Sequence, residues 1–266
     1  MKIISWNVNG IRAVERKGEL EKFLGIYNPD VFLIQETKAQ ESQIKPLREK
    51  YAEYEQFYEC AEKAGYAGTS IWVKNRLRDY ETTRSQEGIR FFAGIPGYND
   101  TEGRIARVDI EDWSILGVYF PNGGKSPEAW KEKLVFYEKF LEYVNSLRLQ
   151  GRKVVWGGDV NCAHEEIDLA RPKENKNSIG FLPEERAWVT KVVQNNWSDV
   201  FRTLHPDSVA YSWWHLISRA RERNVGWRID YFFLDSAFMP QVKNIAYLNE
   251  QMGSDHCPVK LELKKI

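Results

Sequence analysis

Apolar runs of strand length recur along this chain, and nearly every one stops at, or starts from, a carboxylate, a carboxamide or a phenol. Residues 2–6 lead into Asn7-Val8-Asn9-Gly10, and Val31-Phe32-Leu33-Ile34-Gln35 leads into Glu36. Residues 113–120 close around Tyr119, Pro121 and Asn122, and residues 153–156 run through Gly157-Gly158 to Asp159 and Asn161. Residues 229–234 begin beside Asp230, while Gly253-Ser254-Asp255-His256-Cys257-Pro258 precedes the alternating Val259-Lys260-Leu261-Glu262-Leu263. Short continuous apolar runs predict strands buried on both faces, so polar chemistry is left to the strand ends. The chain is therefore constrained to a layered α/β architecture whose polar set gathers at one rim, where a rigid sheet fixes side chains and loops leave room for substrate.

Helical spacing fills the intervals. Leu20, Phe23, Leu24 and Tyr27 predict a helix over 18–27, halted by Asn28-Pro29. Ser126 is placed to cap a helix that has Pro127 at its first position and an apolar face of Trp130, Leu134, Tyr137, Leu141 and Val144, up to Gly151. A further helix is predicted over 184–195, and strand-like pieces over 68–74 and 104–110, with a turn-rich stretch at 84–103. The Gly157-Gly158 pair predicts a sharp turn that presents Asp159 and Asn161. Residues 171–178 form a long polar loop of the kind that is usually functional or disordered. No repeat, low-complexity tract or linker divides the chain, which predicts one domain over 1–266.

Charge narrows the partners. Lysine plus arginine equals aspartate plus glutamate at 38 each, so a polyanion must be held by local patches. Ten tryptophans, thirteen tyrosines and thirteen phenylalanines exceed what the core needs, so some rings face a ligand. Cys60, Cys162 and Cys257 are widely spaced without a CxxC, which argues against a disulfide framework or a zinc site and fits a reducing compartment. Met1 leads straight into the first strand and no apolar run is long enough to cross a bilayer, so the expectation is a soluble intracellular protein, cytoplasmic and nucleoid-associated in a prokaryote.

The strand-end inventory is Asn7, Asn9, Glu36, Tyr119, Asn122, Asp159, Asn161, Asp199, Asp230, Asp255 and His256. The carboxylates among them would repel one another in one cleft unless a cation or hydrogen-bond donors compensate. Oxygen donors without a thiolate cluster favour Mg²⁺, with Mn²⁺ as substitute, over Zn²⁺. Taken singly, each motif has a plainer reading: Asp255-His256 as a surface turn, Tyr119 as a sheet-edge ring above an Asn-Gly turn. Between Trp213 and Arg228 lie four arginines against one glutamate, with three tryptophans interleaved. That mixture suits phosphate pairing and stacking, and equally suits an arginine-rich loop laid over aromatic core residues. Together with the cation site it points to hydrolysis of a phosphodiester.

Several motifs carry a family resemblance. In order they are Ile4-Ser5-Trp6-Asn7-Val8-Asn9-Gly10-Ile11-Arg12-Ala13, Gln35-Glu36-Thr37-Lys38, Tyr119-Phe120-Pro121-Asn122, Gly158-Asp159-Val160-Asn161, Asn224-Val225-Gly226-Trp227-Arg228-Ile229-Asp230-Tyr231 and the Gly253–Pro258 stretch. This series resembles that of the exonuclease III family of abasic-site endonucleases, within the DNase I-like superfamily. Residues 163–169 and 181–186 match as well, so the resemblance covers essentially the whole chain.

The resemblance implies a four-layered α/β sandwich, two mixed β-sheets packed face to face with helices on the outside. It implies a monomeric, Mg²⁺-dependent enzyme that cleaves double-stranded DNA 5′ to abasic sites, leaving a 3′-hydroxyl and a 5′-deoxyribose phosphate, with 3′–5′ exonuclease and 3′-trimming activity. Glu36 would be the principal metal ligand, helped by Asn9 and Asp255; the family carries Asp or Asn at the position of Asn9. Asp159 would orient or deprotonate the attacking water, with Asn161 beside it. A phenolate at Tyr119 is the rival base. His256, buttressed by Asp230, would contact a phosphoryl oxygen, and Tyr119, Asn7 and Asn122 would complete the cage. Trp213, Ile217 and Trp227 would wall a pocket for the base-less sugar, and Tyr66, Arg104, Lys125, Asn175 and Lys176 would meet flanking phosphates. The family's animal branch tends to carry arginine at the place of Lys125 and methionine at that of Ile217. A phosphatase or phospholipase on the same scaffold and a non-catalytic DNA-binding module are the competing classes.

Overall fold

The computed structural model describes residues 1–77 and 88–264, so residues 84–87 of the expected turn-rich stretch lie outside the described residues. In chain order the strands are β1 (Lys2–Asn7), β2 (Val31–Gln35), β3 (Tyr54–Glu59), β4 (Thr69–Lys74), β5 (Arg90–Ala93) and β6 (Ile105–Ile110). They continue with β7 (Trp113–Tyr119), β8 (Lys153–Asp159), β9 (Trp197–Asp199), β10 (Asp230–Asp235), β11 (Val242–Tyr247) and β12 (Val259–Leu263). The α-helices are α1 (Ile11–Arg16), α2 (Glu19–Tyr27), α3 (Glu41–Lys50), α4 (Pro127–Leu149), α5 (Pro183–Gln194) and α6 (Val200–Leu204).

Two mixed six-stranded sheets result, in the orders β11-β12-β1-β2-β4-β3 and β5-β6-β7-β8-β10-β9. Alternation along each strand decides which layer a residue joins. From β1 and β2, Ile3, Val31 and Leu33 point between the sheets to meet Ala106, Val108, Ile115, Val155 and Phe232 of the second sheet. Ile4, Trp6, Phe32 and Ile34 point the other way, onto Val14, Leu20, Phe23 and Ile44 from the first three helices. The outer face of the second sheet packs Leu116, Val118 and Trp156 against Phe136, Phe140 and Trp188 of α4 and α5. Each fully buried Leu, Ile or Phe contributes about 1.5–3 kcal/mol. The four-layered α/β sandwich expected from the resemblance is the fold.

Local chemistry sets the helix limits. α2 starts with Glu19 and Glu21 against the positive end of its dipole and stops where Asn28 turns left-handed (φ 44°) before Pro29. α4 begins at Ser126, whose hydroxyl accepts from the Ala129 amide at 3.2 Å, with Pro127 at the first position. The Gly157-Gly158 pair corrects an expectation: it lies inside β8 and makes no turn. A Cβ on Gly157 would stand 2.5 Å from the Phe232 ring, and one on Gly158 (φ 151°) 1.9 Å from the Val118 carbonyl oxygen. Close approach of neighbouring strands is what excludes a side chain there.

Candidate active site

Strand direction assembles the rim. β1 runs parallel to β2 and β7 parallel to β8, so Asn7 and Gln35 end at one level of the first sheet and Tyr119 and Asp159 at one level of the second. β10 and β12 run antiparallel to these, so they bring their first residues to the same edge: Asp230 pairs with Asp159, and Val259, just after Asp255-His256, pairs with Ser5. The Asn7 amide joins the two sheets, donating to Glu36 Oε1 at 2.9 Å and to Asp159 Oδ2 at 2.8 Å. Just beyond the strands the chain turns through left-handed backbone at Asn9, Glu36, Lys38 and Asn161, with φ of 47°, 51°, 48° and 53°. For glutamate and lysine this costs about 1 kcal/mol or more each. Bonds from Gly10 N to Glu36 O (2.8 Å) and from Lys38 N to Ala67 O (2.9 Å) hold the strained loop in place.

At the buried end lies an acid–imidazole–acid row. His256 Nδ1 is 2.8 Å from Asp230 Oδ2 and its Nε2 is 3.8 Å from Asp159 Oδ2. Asp159 also accepts the Asn161 amide at 2.9 Å, and Asn122 Nδ2 donates to Asn161 Oδ1 at 3.1 Å. Burial foremost, with Asp230 and Glu36 adding and His256 opposing, pushes the Asp159 carboxyl up to about 7. Burial would lower the His256 imidazole, but the Asp230 and Asp159 carboxylates overrule it and carry it up to about 10. An imidazolium therefore stands between two acids at neutral pH. Burial also holds the Tyr119 phenol protonated, with the charges of Glu36 and Asp159 adding to the effect. One ligand atom from each of Asp159, Asp230 and His256 lies within 4.8 Å of the others, a set able to hold a divalent cation once the imidazolium gives up its proton.

A second, more exposed oxygen set lies beside the row. Asn9 Nδ2 donates to Asp255 Oδ1 at 2.9 Å, and Trp213 Nε1 donates to Asp255 Oδ2 at 3.1 Å. Burial alone would raise the Asp255 carboxyl, but His256, Asn9 and Trp213 together bring it below its usual range. The Lys38 ammonium already reaches into this set, 2.8 Å from Glu36 Oε2 and hydrogen-bonded to Asn9 Oδ1. All-oxygen donors arranged around a positive charge fit a hard divalent cation.

From the two sets, Glu36, Asp159, Asp255 and His256 line one cavity of about 330 Å³ together with Tyr119. Its apolar wall is Trp213, Trp227, Ile179 and Ile229, with the two indoles edge to face at 6.4 Å. Gly180 admits Trp227, since a Cβ there would press within 3.2 Å of the indole. Asn122 and Asn161 complete the lining.

Several expected residues are elsewhere. Asp199 leaves the inventory: β9 pairs with β10 so that Asp199 sits level with Phe233, away from the rim, and its carboxylate binds Arg228 Nη2 at 2.8 Å. Two of the four arginines of the tryptophan-arginine segment are structural, while Arg219 and Arg223 are exposed. Arg228 is buried between Asp168 and Asp199, and Arg221 lies over Trp214 and donates to the Asn249, Gln251 and Ser254 carbonyls. Ile217 projects from its loop 89 % exposed and does not line the cavity. Arg104 is turned inward to the Tyr119 carbonyl (3.2 Å), Asp100 and Glu102, and away from solvent. Tyr66 carries the Lys125 ammonium over its ring at 4.1 Å and Lys63 at 5.1 Å, an exposed basic edge. Asn175 folds back on the Arg171 carbonyl at 3.0 Å, leaving Lys176 exposed beside it.

Two features escaped the sequence reading. Lys38 stands in a quoted motif, but only the fold brings its ammonium between Glu36 and Asn9. Fully buried Lys133 donates to Asn161 O at 2.9 Å, Asn122 O at 3.1 Å and Glu185, whose other oxygen accepts the Gly180 amide at 2.7 Å. A lysine on the apolar stripe that runs from Trp130 to Tyr137 was the available signal.

Comparison with known proteins identifies the family. A profile of the Endonuclease/Exonuclease/phosphatase family matches residues 4–256. An exodeoxyribonuclease of Bacillus subtilis (strain 168) is 38% identical over 263 residues, 98% of this chain and 98% of that protein. A DNA repair nuclease of Danio rerio is 35% identical over 267 residues, 99% of this chain and 82% of that protein. The crystal structure of an AP endonuclease from Leishmania major superposes with a TM-score of 0.88 at 27% identity, covering 100% of this chain and 88% of that one. Among the described residues no helix is long and apolar enough to cross a membrane. The chain is an enzyme of the Endonuclease/Exonuclease/phosphatase family and belongs to its exonuclease III-like group of abasic-site endonucleases.

Proposed function

We propose that this single-domain protein, acting as a monomer, hydrolyses the backbone of double-stranded DNA 5′ to an abasic site. It leaves a 3′-hydroxyl and a 5′-deoxyribose phosphate, and it trims 3′ ends as a 3′–5′ exonuclease. One observation carries the reading: a single cavity joins Glu36, the Asp255-His256 pair and Asp159 to an indole wall. That wall fits a deoxyribose without its base, and an unpaired site costs less to extrude than a paired nucleotide.

The ligands of a Mg²⁺ or Mn²⁺ ion would be Glu36, Asn9 and Asp255, and the bound ion would supply Lewis-acid stabilisation of phosphate charge. Asp159, oriented by Asn7 and the Asn161 amide, takes the proton of the attacking water; a carboxyl near 7 suits a base working at neutral pH. The protonated Tyr119 phenol favours a donor role for Tyr119 and argues against the phenolate base. The His256 imidazolium, held by Asp230, and the Asn122 amide would meet phosphoryl oxygens as preorganised donors, whereas both Asn7 amide protons are engaged by Glu36 and Asp159, so Asn7 acts by holding those carboxylates. Trp213 and Trp227 enclose the sugar, while Tyr66, Lys125 and Lys176 offer positive charge to flanking phosphates.

The test is a 5′-labelled duplex with one tetrahydrofuran abasic analogue, incubated with Mg²⁺ and resolved beside the intact duplex. Incision 5′ to the analogue, with a product end that a DNA polymerase extends, is expected. Equal turnover of the intact duplex, or of inositol phosphates, would remove the assignment.

A further inference from the structure

We propose that the Lys38 ammonium is a built-in counter-cation at the metal site: it occupies the oxygens of Glu36 and Asn9 until a divalent ion displaces it, and so sets the metal affinity. The proposal rests on the reading of Glu36, Asn9 and Asp255 as the cation's ligands.

Oxygen use at the site carries the argument. Glu36 Oε1 is engaged by the Asn7 amide at 2.9 Å, which leaves Oε2 for a cation, and Lys38 Nζ lies 2.8 Å from it. Asn9 has turned its amide nitrogen to Asp255 at 2.9 Å, so its oxygen faces the other way and accepts from the same ammonium. A Mg²⁺ or Mn²⁺ ion bound to these two oxygens at its usual distance of about 2.1 Å would stand close to that ammonium, and the two cations would repel. Both cannot keep their positions.

Lys38 is built to be displaced. Its backbone is pinned in a left-handed turn (φ 48°) by the bond from its amide to Ala67 O at 2.9 Å, so the root of the side chain is fixed next to Glu36. Its side chain is 30% exposed, and among the described residues its ion pair is with Glu36 alone. Leaving that pair opens a path to water and strands no other acidic partner. In the metal-free protein the ammonium also balances one of the carboxylates crowded at this rim, a balance the incoming ion takes over. Competition of this kind lowers apparent affinity by the fraction of molecules in which the ammonium has already left.

The experiment measures Mn²⁺ binding to the full chain without DNA, by electron paramagnetic resonance of the free ion, for wild type, Lys38→Met, Lys38→Gln and Glu36→Gln. Both Lys38 variants are expected to bind Mn²⁺ about tenfold tighter than wild type. Mn²⁺ should also raise their melting temperatures further than it raises that of wild type. Unchanged or weaker binding in both overturns the proposal, because Lys38 would then only orient Glu36 for the metal. Loss of the melting transition in both variants also overturns it, since the ammonium would then serve the fold. The parent reading fails separately, if Glu36→Gln binds Mn²⁺ as wild type does.

Discussion

Replacing Lys133 by methionine tests how the site is held from below. The ammonium is fully buried and paired with Glu185, which is fully buried too. Removing one partner of such a pair strands the other charge and costs about 3–5 kcal/mol. The Asn161 carbonyl, buried and bound to the same ammonium at 2.9 Å, loses its donor for about 1 kcal/mol more. Lys133→Met is therefore expected to lose about 4–6 kcal/mol, or about 10–20 °C in melting temperature for a chain of this size. Glu185→Gln keeps an oxygen for the Gly180 and Leu182 amides, at 2.7 and 2.9 Å, while removing the charge. The double variant should therefore be more stable than the two single losses predict, by about 2 kcal/mol or more. Urea unfolding of all four proteins measures the cycle. A Lys133→Met loss below about 1 kcal/mol, or losses that simply add to within about 0.5 kcal/mol, would refute the reasoning.

Three further outcomes follow from the geometry. kcat/KM for incision should rise as pH climbs through about 7, where Asp159 loses its proton, and fall through about 10, where His256 loses its own. Burial lowers the His256 pKa and Asp230 is the main group opposing it, so Asp230→Asn should move the alkaline limb to lower pH; a limb that stays put contradicts the pairing. Asp159→Asn and His256→Ala should each cost about a hundredfold or more in single-turnover rate with duplex affinity largely kept, and loss of affinity in place of rate would reassign them. Trp227→Ala should narrow the preference for abasic over intact duplex in competition assays while Mn²⁺ binding is unchanged; an unchanged preference removes the indole from the sugar pocket.

The sandwich and most of the rim were legible because buried strands announce themselves twice, by an apolar run and by the polar residue that ends it. β1, β2, β7, β8 and β10 are of this kind, and Asn7, Glu36, Tyr119, Asp159 and Asp230 lie in them or directly after them. β3, β5 and β11 were not foreseen: they are edge or half-covered strands, and Tyr-Glu-Gln-Phe-Tyr-Glu or Val-Lys-Asn-Ile-Ala-Tyr has too little apolar run to read. α1 and α3 were missed as well, α1 because it is only six residues long and α3 because Pro46 sits inside it.

The misplacements have a common origin in register and direction, which local sequence does not contain. Asp199 ends a strand like the others, but β9 meets β10 three residues below the rim, where a buried arginine waits. The arginines after Trp213 have the composition of a phosphate-binding loop. Two of them instead have partners distant in sequence, Asp168 for Arg228 and the Gln251 carbonyl for Arg221. Lys38 has the opposite history. It stands in a motif shared with the family, but only the left-handed turn after β2 aims it at Glu36.

The central claim is that Glu36 holds a hard cation against the scissile phosphate, and the Mg²⁺ dependence of abasic-site incision by Glu36→Gln tests it most directly. The account predicts a rate lower by about a hundredfold at saturating Mg²⁺ and a shift of the half-saturating concentration to higher Mg²⁺. Wild-type incision by Glu36→Gln at limiting Mg²⁺ would contradict it.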